Sequence, residues 1–231
     1  MDFLNKFFKY ENGLTVTGLT KELNVFYVLN LFEKENRNIL ILTNTLFEAN
    51  MYYDSLHTYT NDVCLFPMDD FLTSVAVAIS PDLKIKRLET LDIIRNDKKK
   101  IIVTNLTGFL RYLPSKDDAK SLEFNLCLGN KLKRDEILSI LEKYGYVRES
   151  LVTTTGEYAV RGYIIDLFAI DEEHPIRIEF FGDDVDSIRY FDENTQLSIG
   201  EIKSVKIKPY TEVVTDSKSS LFDYMDNPYV V

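Results

Sequence analysis

Short apolar runs alternate with amphipathic stretches through the first half of the chain. The runs Ile39–Leu42, Val63–Phe66 and Ile101–Val103 are continuously apolar, which is typical of strands covered on both faces. A shorter apolar run, Leu14–Val16, predicts a further strand near the start of the chain. These four segments are the strand candidates of the first half.

The segments between these runs have helical periodicity. Helices are predicted over Thr20–Glu35, Thr45–Tyr59 and from Ser80 to Asn96, and the last begins with the N-terminal signature Ser80-Pro81-Asp82. Strands that alternate with helices predict a parallel sheet with helices on its faces. The first half therefore predicts an α/β domain.

The second half contains a single strong helix candidate, Glu136–Tyr144, which Gly145 would end. After it, turn residues rather than helices separate the strands, and Gly182-Asp183-Asp184 forms a plausible hairpin turn. This pattern predicts a smaller α+β domain with an antiparallel sheet. The predicted strands are Tyr158–Ile170, Ile176–Phe181, Val185–Phe191 and Ile202–Ile207.

The polar stretch 114–118 is the expected boundary between the two domains. We therefore expect an α/β domain over residues 1–115 and an α+β domain over residues 116–209. Residues 210–231 are expected to be a tail or the start of a following segment.

Charge follows this division. The 231 residues include 27 Lys and Arg against 37 Asp and Glu, a formal net charge of −10. Residues 1–115 carry 13 basic and 14 acidic groups, residues 116–209 carry 13 and 19, and residues 210–231 carry 1 and 4. An acidic chain argues against broad DNA binding, which needs excess Lys and Arg, but it leaves room for a small basic contact patch.

The residues that most often carry catalysis or metals are sparse. Cys64 and Cys127 have no CxxC partner, and His57 and His174 have no HExxH-type neighbour, so no metal site is predicted. No catalytic constellation is found, and no cofactor is expected. No apolar run reaches about 18 residues and no signal peptide opens the chain, so we expect a cytoplasmic protein without a membrane partner.

The segment before the first helix partly matches the phosphate loop G-x-x-x-x-G-K-[ST]. Gly18 lies in this turn, and Lys21 takes the lysine position if Thr20 replaces the second glycine and Glu22 replaces the Ser/Thr. A β-branched residue obstructs the close backbone approach to phosphate, and Glu22 brings a negative charge instead of a magnesium-binding hydroxyl. We predict a degenerate loop that does not bind ATP, with Lys21 a solvated surface residue.

The most unusual segment runs from Gly156 to Phe168, where an Arg-Gly pair interrupts an apolar strand. Downstream, strand alternation places Arg177 and Phe181 on the face opposite the apolar positions of Ile176–Phe180. An exposed phenylalanine beside Arg161 and Arg177 has the composition of an interface hot spot. The ordinary alternative is that both arginines pair with nearby acids and that Phe181 lies under the hairpin.

Taken together, these motifs resemble one family. GEYAVRGYIIDLFAIDEEHPIRIEFFGDDVDSIRYFDENTQ resembles the amino-terminal part of the bacterial transcription-repair coupling factors. LFPMDDFLTSVAVAISPDLKIKRLETL, IIVTNLTGFLRYLPSK and LSILEKYGYVRESLVTTTGEYAVRG continue the similarity in the same order. The excinuclease protein UvrB has a similar architecture and a related R-G-x-x-I-D/E-x-F element, but an intact phosphate loop.

The resemblance implies a helicase-like α/β domain with a degenerate nucleotide site, followed by a domain that recruits the excinuclease protein UvrA. It also implies that the family's ATP-driven DNA translocase, with its RNA polymerase and double-stranded DNA contacts, lies outside this chain, which would itself have no enzymatic activity. The family's contacts with UvrA match Arg161, Arg177 and Phe181 here. The alternative is an ATP-binding, helicase-like protein resembling UvrB.

Overall fold

The computed structural model describes residues 8–11, 13–70, 80–96, 99–212 and 218–231. The chain divides into two compact units, one made of residues 1–113 with 218–231 and the other of residues 114–217. The division falls at the start of the polar stretch 114–118. Residues 71–79, which belong to one of the matching sequence blocks, lie outside the described part.

The first unit is built on a four-stranded parallel sheet, as the alternation of strands and helices predicts. The elements are α1 (Lys21–Lys34), β1 (Ile39–Thr43), α2 (Leu46–His57), β2 (Val63–Phe66), α3 (Pro81–Arg95), β3 (Ile101–Asn105), α4 (Leu106–Phe109), a 3-10 helix (Leu221–Tyr224) and β12 (Tyr229–Val230). The strand order is β12-β1-β3-β2, and the central strands β1 and β3 are buried except at one position. Both begin with three buried apolar residues and end in polar ones.

Two expectations about the first unit are wrong. Residues 14–16 do not form a strand, and Leu14 and Val16 are exposed. Both neighbouring positions of β1 are taken, by β3 on one side and on the other by β12, which pairs Tyr229 with Ile39. Residues 218–231 are therefore part of the first unit's sheet and core, rather than a tail after the second unit.

The second unit contains a six-stranded sheet and a separate strand pair. The elements are α5 (Lys116–Ser121), β4 (Phe124–Cys127), α6 (Arg134–Lys143), β5 (Val147–Arg148), β6 (Glu157–Arg161), β7 (Ile164–Leu167), β8 (Ile176–Phe181), β9 (Asp184–Phe191), β10 (Ser198–Glu201) and β11 (Ser204–Ile207). The large sheet has the order β10-β9-β8-β7-β6-β5, in which only the β5–β6 pair is parallel, and β4 pairs with β11 antiparallel. Ile137 and Leu141 of the predicted helix are fully buried, and Gly145 ends it with φ +80°.

Two short hairpins lie at the same end of this sheet. The single strand predicted over Tyr158–Ile170 is wrong: the chain reverses at Gly162, so that Arg161 pairs with Ile164. Gly162 has φ +60°, and a positive φ at the first of two loop residues suits a tight hairpin turn and favours glycine. Gly182, with φ +65°, does the same between β8 and β9, as predicted.

Candidate partner-binding site

Strand β8 has one buried and one accessible face. Ile176, Ile178 and Phe180 are buried, whereas Arg177 and Glu179 are partly exposed and Phe181 is fully exposed. This confirms the alternation predicted from the sequence. The candidate site is the accessible face, continued onto the neighbouring strands β6, β7 and β9.

A buried carboxylate lies at the centre of this face. Asp166 on β7 is opposite Arg177 in the strand register, and its side chain is only 1% exposed. Arg177 binds both carboxylate oxygens: its Nε donates to Oδ1 at 2.7 Å and its Nη2 donates to Oδ2 at 2.9 Å. Such bidentate, charge-assisted pairs are among the stronger hydrogen-bonded contacts in proteins.

Arg177 is itself largely covered. Its side chain is 14% exposed, and its guanidinium lies 4.5 Å from the centre of the Phe191 ring. Phe191 belongs to a small apolar cluster on this face, together with Ala159, Phe168 and Val152. For Arg177 the ordinary alternative therefore applies, since its guanidinium is committed to an acid within the sheet.

Arg161 also pairs with an acid, as the ordinary alternative expects, but it is held differently. Its Nη2 donates to Oδ2 of Asp166, but the side chain remains 48% exposed. Asp166 thus shares its single negative charge between two arginines, which leaves a local charge of +1 with Arg161 as its accessible part. Arg161 can approach a partner's carboxylate while Asp166 restrains its orientation.

Phe181 ends β8 beside the hairpin turn and is 80% exposed. It does not lie under the hairpin, so the ordinary alternative fails for this residue. Arg161 lies on the same face, with β7 between the two strands. Exposed aromatic rings and arginines are the residue types enriched at the centres of protein interfaces.

A second ion pair borders these residues. Arg189 on β9 donates from Nη2 to Oε1 of Glu179 at 2.5 Å. This hydrogen bond, against an opposing effect of burial, lowers the pKa of Glu179 below its ordinary value. The accessible face therefore contains two arginine–carboxylate clusters side by side.

The residues of the predicted degenerate phosphate loop lie in the first unit. Gly18 has φ +78°, and Thr20 caps α1 by accepting a hydrogen bond from the Leu23 N–H at 3.4 Å. Lys21 and Glu22 occupy the exposed first turn of the helix. Thr20 thus places its hydroxyl over the helix N-terminus, where a phosphate loop would offer free N–H groups.

A cavity of about 660 Å³ lies beside this loop. Leu14, Val16 and Leu19 line it on the loop side, and Thr43 lines it at the end of β1. Lys21 is not among the lining residues. The lysine that would neutralise phosphate charge in an active loop therefore does not face this cavity.

Sequence reasoning assigned no role to Asp166, which organises the site. The available signal was an acid within the apolar strand Ile164–Leu167, because a carboxylate in a buried strand needs a cationic partner. Its pairing with Arg177 could have been inferred once the hairpins were placed.

In the part of the chain that the structure describes, no helix has the length and apolar character to cross a membrane.

Comparison with known proteins places this site in a recognised domain. Residues 124–212 match the family model of the UvrB interaction domain. The chain is 31% identical over 201 residues to the transcription-repair-coupling factor of Bacillus subtilis (strain 168), covering 86% of this chain and 17% of that protein. The factors of Staphylococcus aureus (strain bovine RF122 / ET3-1) and Staphylococcus epidermidis (strain ATCC 12228 / FDA PCI 1200) are each 33% identical, over 91% and 92% of this chain and 18% of their own length.

The chain thus spans less than a fifth of the length of the relatives it matches, while those relatives cover about nine tenths of it. The similarity runs through both units, and the family domain contains Arg161, Arg177 and Phe181. The chain is therefore similar, through both of its units, to a part of the transcription-repair coupling factors.

Proposed function

We propose that this chain is a recruitment module that binds the excinuclease protein UvrA through the accessible face of its second unit. The observation that carries the proposal is the 80% exposed Phe181 on the same face as the half-exposed Arg161, with β7 between their strands, within the segment that matches the UvrB interaction domain. Coupling transcription to repair would then require this contact to bring the excision machinery to the whole protein. The motor, and the contacts with RNA polymerase and double-stranded DNA, would lie outside residues 1–231.

The three site residues have different roles in this mechanism. Phe181 fills an apolar pocket on the partner, and Arg161 pairs with a partner carboxylate through the donors that Asp166 does not use. Arg177 acts as a positioning residue, because its guanidinium holds Asp166 and Asp166 in turn restrains Arg161. This division follows from exposure: 48% for Arg161 against 14% for Arg177.

The test is calorimetric titration of the chain with purified UvrA. Arg161→Ala and Phe181→Ala should each weaken binding by about 1–4 kcal/mol, the range found for interface hot spots, without changing the circular dichroism spectrum. Arg148→Ala is the matched control, since Arg148 is exposed on β5 and pairs with Tyr158, at the other end of β6 from Arg161. Unchanged affinity for both site variants would overturn the assignment.

The helicase-like part of the proposal concerns the first unit. We propose that its phosphate loop is degenerate and that it holds no ATP, because Thr20 caps the helix and Lys21 does not line the neighbouring cavity. The competing function is an ATP-binding protein resembling UvrB. A nucleotide titration separates the two: saturable, magnesium-dependent binding that Lys21→Ala abolishes would favour the competitor.

A further inference from the structure

Two exposed aromatic rings lie at neighbouring hairpin tips. In the described part of the second unit, Tyr163 and Phe181 are the only aromatic residues among the exposed large hydrophobics, at 69% and 80%. Tyr163 is in the β6–β7 turn, two residues after Arg161, and its carbonyl accepts a hydrogen bond from the Phe180 N–H at 3.0 Å. That bond places Tyr163 directly opposite Phe180, the residue that precedes Phe181.

Two hydrogen bonds restrain the backbone of the turn that carries Tyr163. Besides the bond from Phe180, Arg134 in the first turn of α6 donates from Nη1 to the Gly162 carbonyl at 2.5 Å. The connecting loop has only two residues, and Gly162 adopts the positive φ that such a turn requires. The ring of Tyr163 is therefore presented on a restrained backbone.

The second tip is fixed in the same way. The Leu132 N–H donates to the Asp183 carbonyl at 2.8 Å, and the Val185 N–H donates to the Asn130 carbonyl at 3.0 Å. The segment before α6 is thus hydrogen-bonded to the β8–β9 hairpin, and Arg134 of α6 is hydrogen-bonded to the β6–β7 hairpin. One continuous stretch of chain therefore restrains the backbone of both turns.

An open cleft of about 530 Å³ lies between the two tips and the start of α6. Tyr163 and Gly162 line it from one hairpin, Asp183 and Gly182 from the other, and Arg134 lies on the helix side. Phe181 does not line this cleft. A contact surface that includes both rings therefore continues around the end of the sheet from Phe181 to Tyr163. A partner that covered only Arg161 and Phe181 would leave Tyr163 and this cleft in water.

We propose that Tyr163 is a second aromatic anchor and specificity-determining residue for the partner that Phe181 engages, an inference that rests on the proposed recruitment of UvrA. The partner surface that fits has two apolar contacts, one for each ring, and a carboxylate to meet Arg161. Aromatic side chains on a restrained backbone lose little conformational entropy on binding, so their burial contributes efficiently to affinity.

The experiment uses the same titration with UvrA and the intact chain. Tyr163→Ala should weaken binding about 5- to 30-fold, near 1–2 kcal/mol at 1.4 kcal/mol per factor of ten. Tyr163→Phe should retain most of the affinity, because the ring rather than the hydroxyl makes the contact. Leu197→Ala is the matched control, since Leu197 is also 69% exposed but lies beside β10 at the opposite edge of the sheet.

The outcomes separate this inference from the function on which it depends. If Phe181→Ala weakens binding and Tyr163→Ala does not, the second anchor is refuted and the recruitment function stands. If the unaltered chain does not bind UvrA, both are refuted. If Leu197→Ala weakens binding as much as Tyr163→Ala, the effect is not specific to this end of the sheet, and the second anchor is again refuted.

Discussion

Asp166→Asn provides the sharpest test of how the site is built. The substitution preserves the shape of the side chain while it removes the charge, so no cavity contributes to the result. It replaces one carboxylate oxygen by an amide group that donates, whereas both oxygens accept hydrogen bonds from arginines in the native site. The amide therefore faces a guanidinium with which it cannot bond.

The expected loss can be estimated from exposure. Removing one partner of a buried ion pair costs about 3–5 kcal/mol. Arg161 is half exposed and can recover hydration, so the penalty falls mainly on Arg177, which is 14% exposed. Because Asn retains one acceptor, the lower limit applies, and we expect about 3 kcal/mol less stability in the second unit.

Hydrogen–deuterium exchange with mass spectrometry measures this loss strand by strand in the intact chain. At 1.4 kcal/mol per factor of ten, 3 kcal/mol corresponds to about a hundredfold faster exchange in peptides that cover β7 and β8. Peptides from the parallel sheet of the first unit should exchange at their native rate. Asp186→Asn removes an exposed carboxylate on β9 and should leave all rates unchanged.

The reasoning is refuted if Asp166→Asn accelerates exchange in β7 and β8 less than about fivefold. It is also refuted if Asp186→Asn has a comparable effect, because general charge rather than the buried pair would then be responsible.

Further predictions concern the two arginines, the acid range and the returning segment. Arg161→Ala should cost less than about 1 kcal/mol of unfolding free energy, because Arg161 is half exposed and the buried Asp166 keeps both of its hydrogen bonds to Arg177. Arg177→Ala should cost about 3 kcal/mol, because it removes those two hydrogen bonds from a buried carboxylate. Urea denaturation measures both losses, and equal losses would contradict the division of roles. The hydrogen bond from a neighbouring arginine lowers the pKa of Glu179 below its ordinary 4.5, so its stabilisation is complete above pH 4.5 and is lost as the pH falls through the lower folded value. Thermal melting between about pH 3 and 6 should therefore be less pH-dependent for Glu179→Gln, and an unchanged slope would refute this. Deleting residues 218–231 should unfold the first unit, because the segment supplies buried core residues and an edge strand; native exchange rates in β1 of the truncated chain would contradict this.

Local pattern was sufficient for most of the fold. The central strands and long helices of the first unit follow from apolar periodicity and from caps such as Thr45, whose side chain accepts from the Glu48 N–H. Alternation along β8 likewise identified the accessible face. Leu14–Val16 shows the limit of this method, since local pattern does not say which segment pairs with a strand, and the position beside β1 is taken by a segment distant in sequence.

Strand alternation predicted which face carries Arg177 and Phe181, but not how each candidate side chain is surrounded. Composition indicated Arg161, Arg177 and Phe181 as candidates. The two arginines differ in the exposed fraction of their side chains, and this difference arises because the apolar cluster around Phe191 covers Arg177. Asp166 and Tyr163 were not singled out, because the strand predicted over 158–170 concealed the hairpin. Once Gly162 is recognised as a turn, both residues acquire neighbours across the sheet.

The return of β12 to the first sheet has a consequence for synthesis of the chain. Tyr229 pairs with Ile39, 190 positions earlier, and the whole second unit lies between them. At about 5–20 residues per second, β1 waits on the order of 10–40 s for its neighbour to emerge from the ribosome. The second unit can fold during that interval, whereas the open edge of β1 is a template for pairing with other chains. Slow translation through the second unit should therefore favour aggregation that begins in the first.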